Sequence, residues 1–229
     1  MKLAGIQKLT LLDFPGKTAC TLFTPGCNLR CPFCHNAALV THIDPASALS
    51  THEVLSFLKK RQGLLEGVCI TGGEPLLQAD ILPFMEEIKA LGYALKLDTN
   101  GTNPALLKTI LEAGAVDYVA RDIKSSPERY GLVSGVPVDT DAIRASVALL
   151  TGGTTPYEFR TTVVKGLHLV DDFPKIGELI RGAGHYYIQN FVDSGDLIQP
   201  GFTAFSREEL EEFQEIVAPY VQKVSLRGI

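Results

Sequence analysis

The 229 residues carry 21 Lys and Arg against 26 Asp and Glu, a net charge of −5, with 45% hydrophobic and 21% charged. That composition gives a globular chain one well-buried core, and its acidic balance argues against a nucleic-acid surface, which would show a basic patch. No apolar run reaches the length of a membrane span, residues 1–16 lack the basic start and long apolar core of a signal peptide, and five cysteines is an odd number for a disulfide framework. A single cytoplasmic domain over 1–229 is expected, without repeats, low-complexity segments or long linkers.

Strands and helices alternate along the chain. A β-branched and aromatic run over 18–23 predicts the first strand, and Thr24-Pro25-Gly26 turns out of it into Cys27-Asn28-Leu29-Arg30-Cys31-Pro32-Phe33-Cys34. Ser50-Thr51-His52-Glu53 reads as a capping box opening a helix through about Leu65, with Lys59-Lys60-Arg61 as its solvated basic end. A short apolar strand over 67–71 is broken by Gly72-Gly73, and a helix over 80–91 stops at Gly92. The strand at 93–98 ends in the turn Thr99-Asn100-Gly101, after which Asn103-Pro104 supplies an N-cap and a first-turn proline for a helix ending at Ala113-Gly114. Next come a strand at 116–120, a helix near 139–150, a strand at 157–164, a helix near 173–181 and a sixth strand at 186–192. Ser206-Arg207-Glu208-Glu209 is a second capping box, before a last helix and a terminal strand around 221–226. This alternation implies right-handed β-α-β units and a parallel sheet. At this length an α/β fold built as a partial, open (β/α)6 TIM-like barrel is expected, with a doubly wound sheet as the competing architecture.

Cys27, Cys31 and Cys34 form a C-x-x-x-C-x-x-C set with no fourth cysteine nearby. A closed structural metal site takes four protein ligands, whereas three thiolates leave one coordination position open. In a four-iron cluster three irons would be held and the fourth exposed, ready to bind the amino and carboxylate groups of S-adenosylmethionine and pass an electron into its sulfonium. A Cys3His zinc site recruiting His35 or His42 is the alternative for the same residues. Cys20 and Cys69 fall inside apolar strands and read as small buried hydrophobes.

Polar residues gather at strand ends, the rim on which open sheets and barrels place ligands. Gly72-Gly73-Glu74 follows the second strand, Asp98-Thr99-Asn100 the third and Asp122-Ile123-Lys124 the fourth. Paired glycines let backbone approach a ligand closely, and Glu74 offers a carboxylate to an ammonium; a solvated turn is the plainer reading. Asp98 ends an apolar strand and needs a partner there, unless it is an N-cap or turn aspartate. Lys124 is either a surface lysine or a donor to ribose hydroxyls or a carboxylate. Phe33 is placed to shield a cluster from water, His35 and Asn36 to cover an adenine or cap the loop. Arg160, inside a strand, needs a carboxylate or a ligand.

These residues resemble the radical S-adenosylmethionine superfamily, through Cys27, Cys31, Phe33 and Cys34 and through Gly72-Gly73-Glu74. More narrowly, Asp13-Phe14-Pro15-Gly16, Cys34-His35-Asn36, Asp98-Thr99-Asn100-Gly101 and Asp122-Ile123-Lys124 resemble the activating enzymes of glycyl radical enzymes. The resemblance is specific over 13–124 and vague beyond Tyr130. It implies a [4Fe-4S] cluster on Cys27, Cys31 and Cys34, and S-adenosylmethionine contacted by Phe33, His35, Gly72, Gly73 and Glu74. Asp98 and Thr99 would lie near the cofactor's carboxylate with a monovalent cation, Asp122 and Lys124 near its ribose, and Gln189 beyond them. It also implies a partner, anaerobic ribonucleoside-triphosphate reductase or a pyruvate formate-lyase-like enzyme, and flavodoxin or ferredoxin as electron donor. No catalytic acid, base or nucleophile is expected, because cluster and cofactor carry the chemistry. With no cysteines for an auxiliary cluster, the chain reads as a minimal member whose open side suits an inserted protein loop. A radical enzyme acting on a small nucleoside-like or pterin-like substrate, and a metal-binding module without turnover, are the other readings.

Overall fold

The computed structural model describes residues 1–42 and 48–229. They fall into two compact units, the first made of Met1–Asn28, Ala38–Thr99 and Ala105–Val119, the second of Leu29–Ala37, Asn100–Pro104 and Ala120–Ile229.

The first unit begins with β1 (Lys2–Leu3), β2 (Gly5–Thr10), β3 (Ala19–Thr24), α1 (Ala37–Thr41) and β4 (Leu49–Ser50). It continues with α2 (Thr51–Lys59), β5 (Gly67–Gly72), α3 (Ile81–Ala90), β6 (Ala94–Thr99) and α4 (Pro104–Glu112), and reaches into β7 (Tyr118–Asp122). Its strands run in the order β6-β5-β3-β2, with β3, β5 and β6 parallel and β2 antiparallel to β3. Leu22, Val68, Ile70, Leu95 and Leu97 are wholly buried between the strands and the apolar faces of α2, α3 and α4, where Leu58, Ile81, Ile88, Leu107 and Ile110 are wholly buried too. The Ser50 capping box forms as its spacing requires, with hydroxyl and backbone of Ser50 exchanging bonds with Glu53.

Two expectations change here. The helix foreseen through Leu65 ends at Lys59, because the chain turns within the next residues and Gly63 takes φ +77°, a left-handed conformation that no helix continues through. β1, β2 and β4 have no counterpart among the predicted strands. β2 leaves three successive residues, Gln7 to Leu9, exposed, so it lacks the apolar alternation by which a half-buried strand is recognised.

The second unit takes the end of β7 and then α5 (Tyr130–Ser134), α6 (Thr140–Thr151), β8 (Tyr157–Val163), α7 (Asp172–Leu179), β9 (Tyr186–Asn190), α8 (Arg207–Val217) and β10 (Val224–Arg227). The strand order is β7-β8-β9-β10, with β9 parallel to both its neighbours. Ser206 and Glu209 close the second capping box at the start of α8. Phe173 of α7 stacks on Phe213 of α8 with ring centroids 3.9 Å apart, and Phe205 meets Phe213 edge-on at 4.9 Å.

Candidate active site

In the first unit the Gly-Gly-Glu turn is fastened to the entrance of the cysteine loop. Gly73 N–H donates to the Thr24 carbonyl at 2.9 Å and Glu74 N–H to the Gly26 carbonyl at 2.8 Å, while Gln78 Nε2 donates to the Pro25 carbonyl at 2.9 Å. A Cβ on Gly73 would stand 1.9 Å from the Gly26 oxygen and 3.2 Å from Cys27 N. A Cβ on Gly72, whose φ is +118°, would stand 2.3 Å from Thr24 N. Paired glycines are expected to let backbone approach a ligand. The approach they permit is between the carboxyl ends of β3 and β5, and it sets Cys27 beside the turn that carries Glu74.

The Glu74 side chain is 1% exposed, which removes the solvated-turn reading. Its Oε1 accepts the Leu76 N–H at 3.0 Å, capping the short 3-10 helix Pro75–Leu77, and also accepts the Thr99 hydroxyl at 2.7 Å. Asp98 is neither an N-cap nor a turn residue. It lies in β6, paired with the ammonium of Lys96, and the Cys69 thiol is 3.8 Å from both its Oδ1 and Lys96 Nζ. Residues two apart on a strand share a face, so a lysine two places before the aspartate in an otherwise apolar strand was a readable sign of this pair. Sequence reasoning passed over Lys96.

The second unit holds Cys31, Phe33, Cys34, His35, Asp122, Lys124, Arg160 and Gln189. Cys34 N–H donates to the Cys31 carbonyl at 3.0 Å, and the Pro32 carbonyl accepts Gln199 N–H at 2.9 Å. Phe33 is buried, and the His35 ring sits 5.6 Å from that of Phe191. Asp122 lies between two cations: its Oδ2 accepts Lys124 Nζ at 2.8 Å and its Oδ1 accepts Arg160 Nε at 2.5 Å. Burial alone would raise the Asp122 carboxyl, but Arg160 and Lys124 outweigh it and hold the group well below the usual carboxylate range. For Lys124 burial works downward and is overcome by Asp122 and then Cys31, so the ammonium stays charged far above neutral pH. Arg160 thus has the carboxylate its place in a strand demanded. Gln189 is occupied by structure, its amide meeting Thr162 Oγ1 and Arg227 Nη1, each at 3.3 Å.

None of the five cysteines is in a disulfide. Cys27 belongs to the first unit and Cys31 and Cys34 to the second. Among the described residues no three His, Cys, Asp or Glu side chains gather in a group sized for a single metal ion. A four-iron cluster makes a different demand, since its thiolates bind separate irons.

The radical SAM superfamily model matches residues 21–176, two thirds of the chain. The chain belongs to the radical SAM superfamily. It is 28% identical over 99% of its length to a protein of Methanocaldococcus jannaschii named as a glycyl-radical enzyme activating enzyme, covering 95% of that relative. It is 34% identical to the pyruvate formate-lyase-activating enzyme of Staphylococcus epidermidis over 78% of its length and 75% of the relative's. The crystal structure of SuiB from Streptococcus suis bound to S-adenosylmethionine superposes on 91% of this chain and 52% of that one, with a TM-score of 0.69 at 14% identity. That likeness shows the fold, the expected α/β partial barrel with parallel strands. As a radical SAM enzyme the chain uses a [4Fe-4S] cluster and S-adenosylmethionine. The donor set suits them: three thiols in one loop for the cluster, and a buried carboxylate on the adjoining turn. No helix is long and apolar enough to cross a membrane among the described residues.

Proposed function

We propose that this radical SAM enzyme activates a glycyl radical enzyme, with anaerobic ribonucleoside-triphosphate reductase as the partner and flavodoxin or ferredoxin as the electron donor. The observation that carries the activating role is similarity along nearly the whole chain to a relative named for that role. The choice of reductase rests on the overall family likeness, in which Asp13-Phe14-Pro15-Gly16, Cys34-His35-Asn36, Asp98-Thr99-Asn100-Gly101 and Asp122-Ile123-Lys124 mark the activating branch as a whole. When bound, the reduced cluster and S-adenosylmethionine supply a 5′-deoxyadenosyl radical able to take a hydrogen atom from a glycine Cα.

The chain's own residues bind, orient and exclude water. Cys27, Cys31 and Cys34 hold the cluster, and buried Phe33 keeps water from it. Glu74, aimed by the Thr99 hydroxyl and the Leu76 N–H, presents its carboxylate to the methionine ammonium, with Gly72 and Gly73 shaping the turn. Asp98 and Thr99 would serve the cofactor's carboxylate end with a monovalent cation, His35 would cover the adenine, and the charged pair Asp122 and Lys124 would meet the ribose. Gln189, whose amide already meets Thr162 and Arg227, would be a further contact.

Glu74→Gln removes the charge and keeps the shape. It should weaken S-adenosylmethionine binding by roughly 1.5–3 kcal/mol, the range for a hydrogen bond to a charged group, with iron content unchanged. Equilibrium dialysis on the cluster-loaded protein reads this directly, and an unaltered dissociation constant would take the ammonium away from Glu74.

The activating role itself is tested by mixing the protein anaerobically with the reductase, S-adenosylmethionine and reductant. Electron paramagnetic resonance should show a doublet, because a spin on a glycine Cα couples to its one remaining hydrogen. One 5′-deoxyadenosine should accompany each radical. Many deoxyadenosines with a small nucleoside-like substrate, and no glycyl signal with any partner, would overturn the proposal.

A further inference from the structure

The loop between β8 and α7 carries a histidine that the site assignment does not use. His168 is 2% exposed, and both ring nitrogens are engaged. Nδ1 lies 3.1 Å from the Val164 backbone nitrogen, which can only donate, so Nδ1 accepts. Nε2 lies 2.8 Å from the Lys124 carbonyl oxygen, which can only accept, so Nε2 carries the proton. The two bonds select one neutral tautomer. Burial, the largest influence, lowers the pKa of His168 and keeps it neutral. The ring also meets Phe33 edge-on, with centroids 6.3 Å apart.

The surroundings make this a fixed point. Asp172, 2% exposed, accepts the Ser126 hydroxyl at 2.5 Å and the Leu169 N–H at 2.9 Å. Arg129 pairs with Asp172 at 3.2 Å and donates to the Leu167 carbonyl at 2.8 Å. The loop after β7 and the loop after β8 are therefore tied at three places, of which His168 alone grips Lys124. The Nε2–H of the imidazole holds the backbone of the lysine paired with Asp122, and the ring makes a T-shaped contact with the phenyl ring lying between the second and third cysteines.

We propose that His168 is a positioning residue for S-adenosylmethionine binding: its Nε2–H fixes the Lys124 backbone, and its ring fixes Phe33, so that lysine and cysteine loop keep one spacing. This rests on the reading of Lys124 as a cofactor contact. A lysine side chain with several rotatable bonds is aimed only as well as its backbone is anchored, and supporting contacts of this kind commonly change affinity about 10-fold when removed.

Two amide substitutions separate the imidazole's two bonds. His168→Gln places an amide N–H where Nε2–H stood, and His168→Asn places a carbonyl oxygen where Nδ1 stood. On cluster-loaded protein, equilibrium dialysis with S-adenosylmethionine should show a dissociation constant within about 2-fold of the native value for Gln and raised about 10-fold for Asn. Iron content and melting temperature should match between the two variants. Equal dissociation constants, a weaker Gln variant, or loss of folding in both would overturn the proposal, because His168 would then serve only the turn at Val164. Lys124→Met is measured alongside. If it binds S-adenosylmethionine as tightly as the native protein, the Lys124 assignment itself is wrong and the brace falls with it, a result distinct from a failure of His168.

Discussion

Anaerobically reconstituted protein should hold about four irons per chain, and Cys27→Ala, Cys31→Ala or Cys34→Ala should each abolish that content, whereas Cys20→Ala and Cys69→Ala should not. Only the thiolate binds iron. Cys20 lies in β3 with no exposed surface, and burial pushes its thiol up to about 12, so at neutral pH it is a protonated core side chain. Cys69 is equally buried in β5, engaged with Asp98 and Lys96. The three remaining cysteines sit in a loop, and the backbone of Gly26, immediately before the first of them, is locked against the Gly-Gly-Glu turn. Removing any one thiolate leaves two irons held, too few for a stable cubane that must keep its fourth corner open. Iron and acid-labile sulfide analysis, with the visible absorbance of the cluster, reads the outcome. Stoichiometric zinc without iron in protein purified away from oxygen would instead select the Cys3His site.

Much of this arrangement was legible because it is encoded locally. The Ser50 and Ser206 capping boxes need only a serine and a glutamate three residues apart, and both form. The burial of Cys20 and Cys69 follows from apolar neighbours along a strand. Arg160 announced a carboxylate partner simply by standing in a strand, though nothing local named Asp122. The misses share a different cause. β2 is defined by its antiparallel register with β3, Gly5 opposite Phe23 and Thr10 opposite Ala19, and not by its own pattern. The meaning of Gly72 and Gly73 depends on how closely another backbone approaches, a distance that composition does not carry. His168 looks like any loop histidine until the Val164 and Lys124 backbones close on its two nitrogens.

Asp122→Asn should cost roughly 3–5 kcal/mol of stability, the usual penalty for breaking a mostly buried ion pair by removing one partner. One carboxylate oxygen accepts Lys124 Nζ at 2.8 Å and the other accepts Arg160 Nε at 2.5 Å. With the charge gone the two cations face each other across a neutral amide, in a place where side-chain exposure is 26% or less for all three. Urea unfolding of the apoprotein measures the loss, and Arg160→Gln in the same background should restore part of it, since the double variant no longer opposes two cations. Purely additive costs would show that Asp122 and Arg160 do not interact. The pH dependence has a definite sign. A carboxyl held below its ordinary value stabilises the fold fully above the unfolded-state pKa of about 4, and that contribution fades as pH falls toward the depressed folded value. The gap between native protein and Asp122→Asn should therefore be constant from pH 6 to 8, on the plateau where the carboxyl is ionised in both states, and narrow below about pH 4. A gap that widens on acidification would mean that Asp122 is protonated in the native fold, and Lys124 would then lose the counter-charge that keeps it ready for an anionic or hydroxyl-rich ligand.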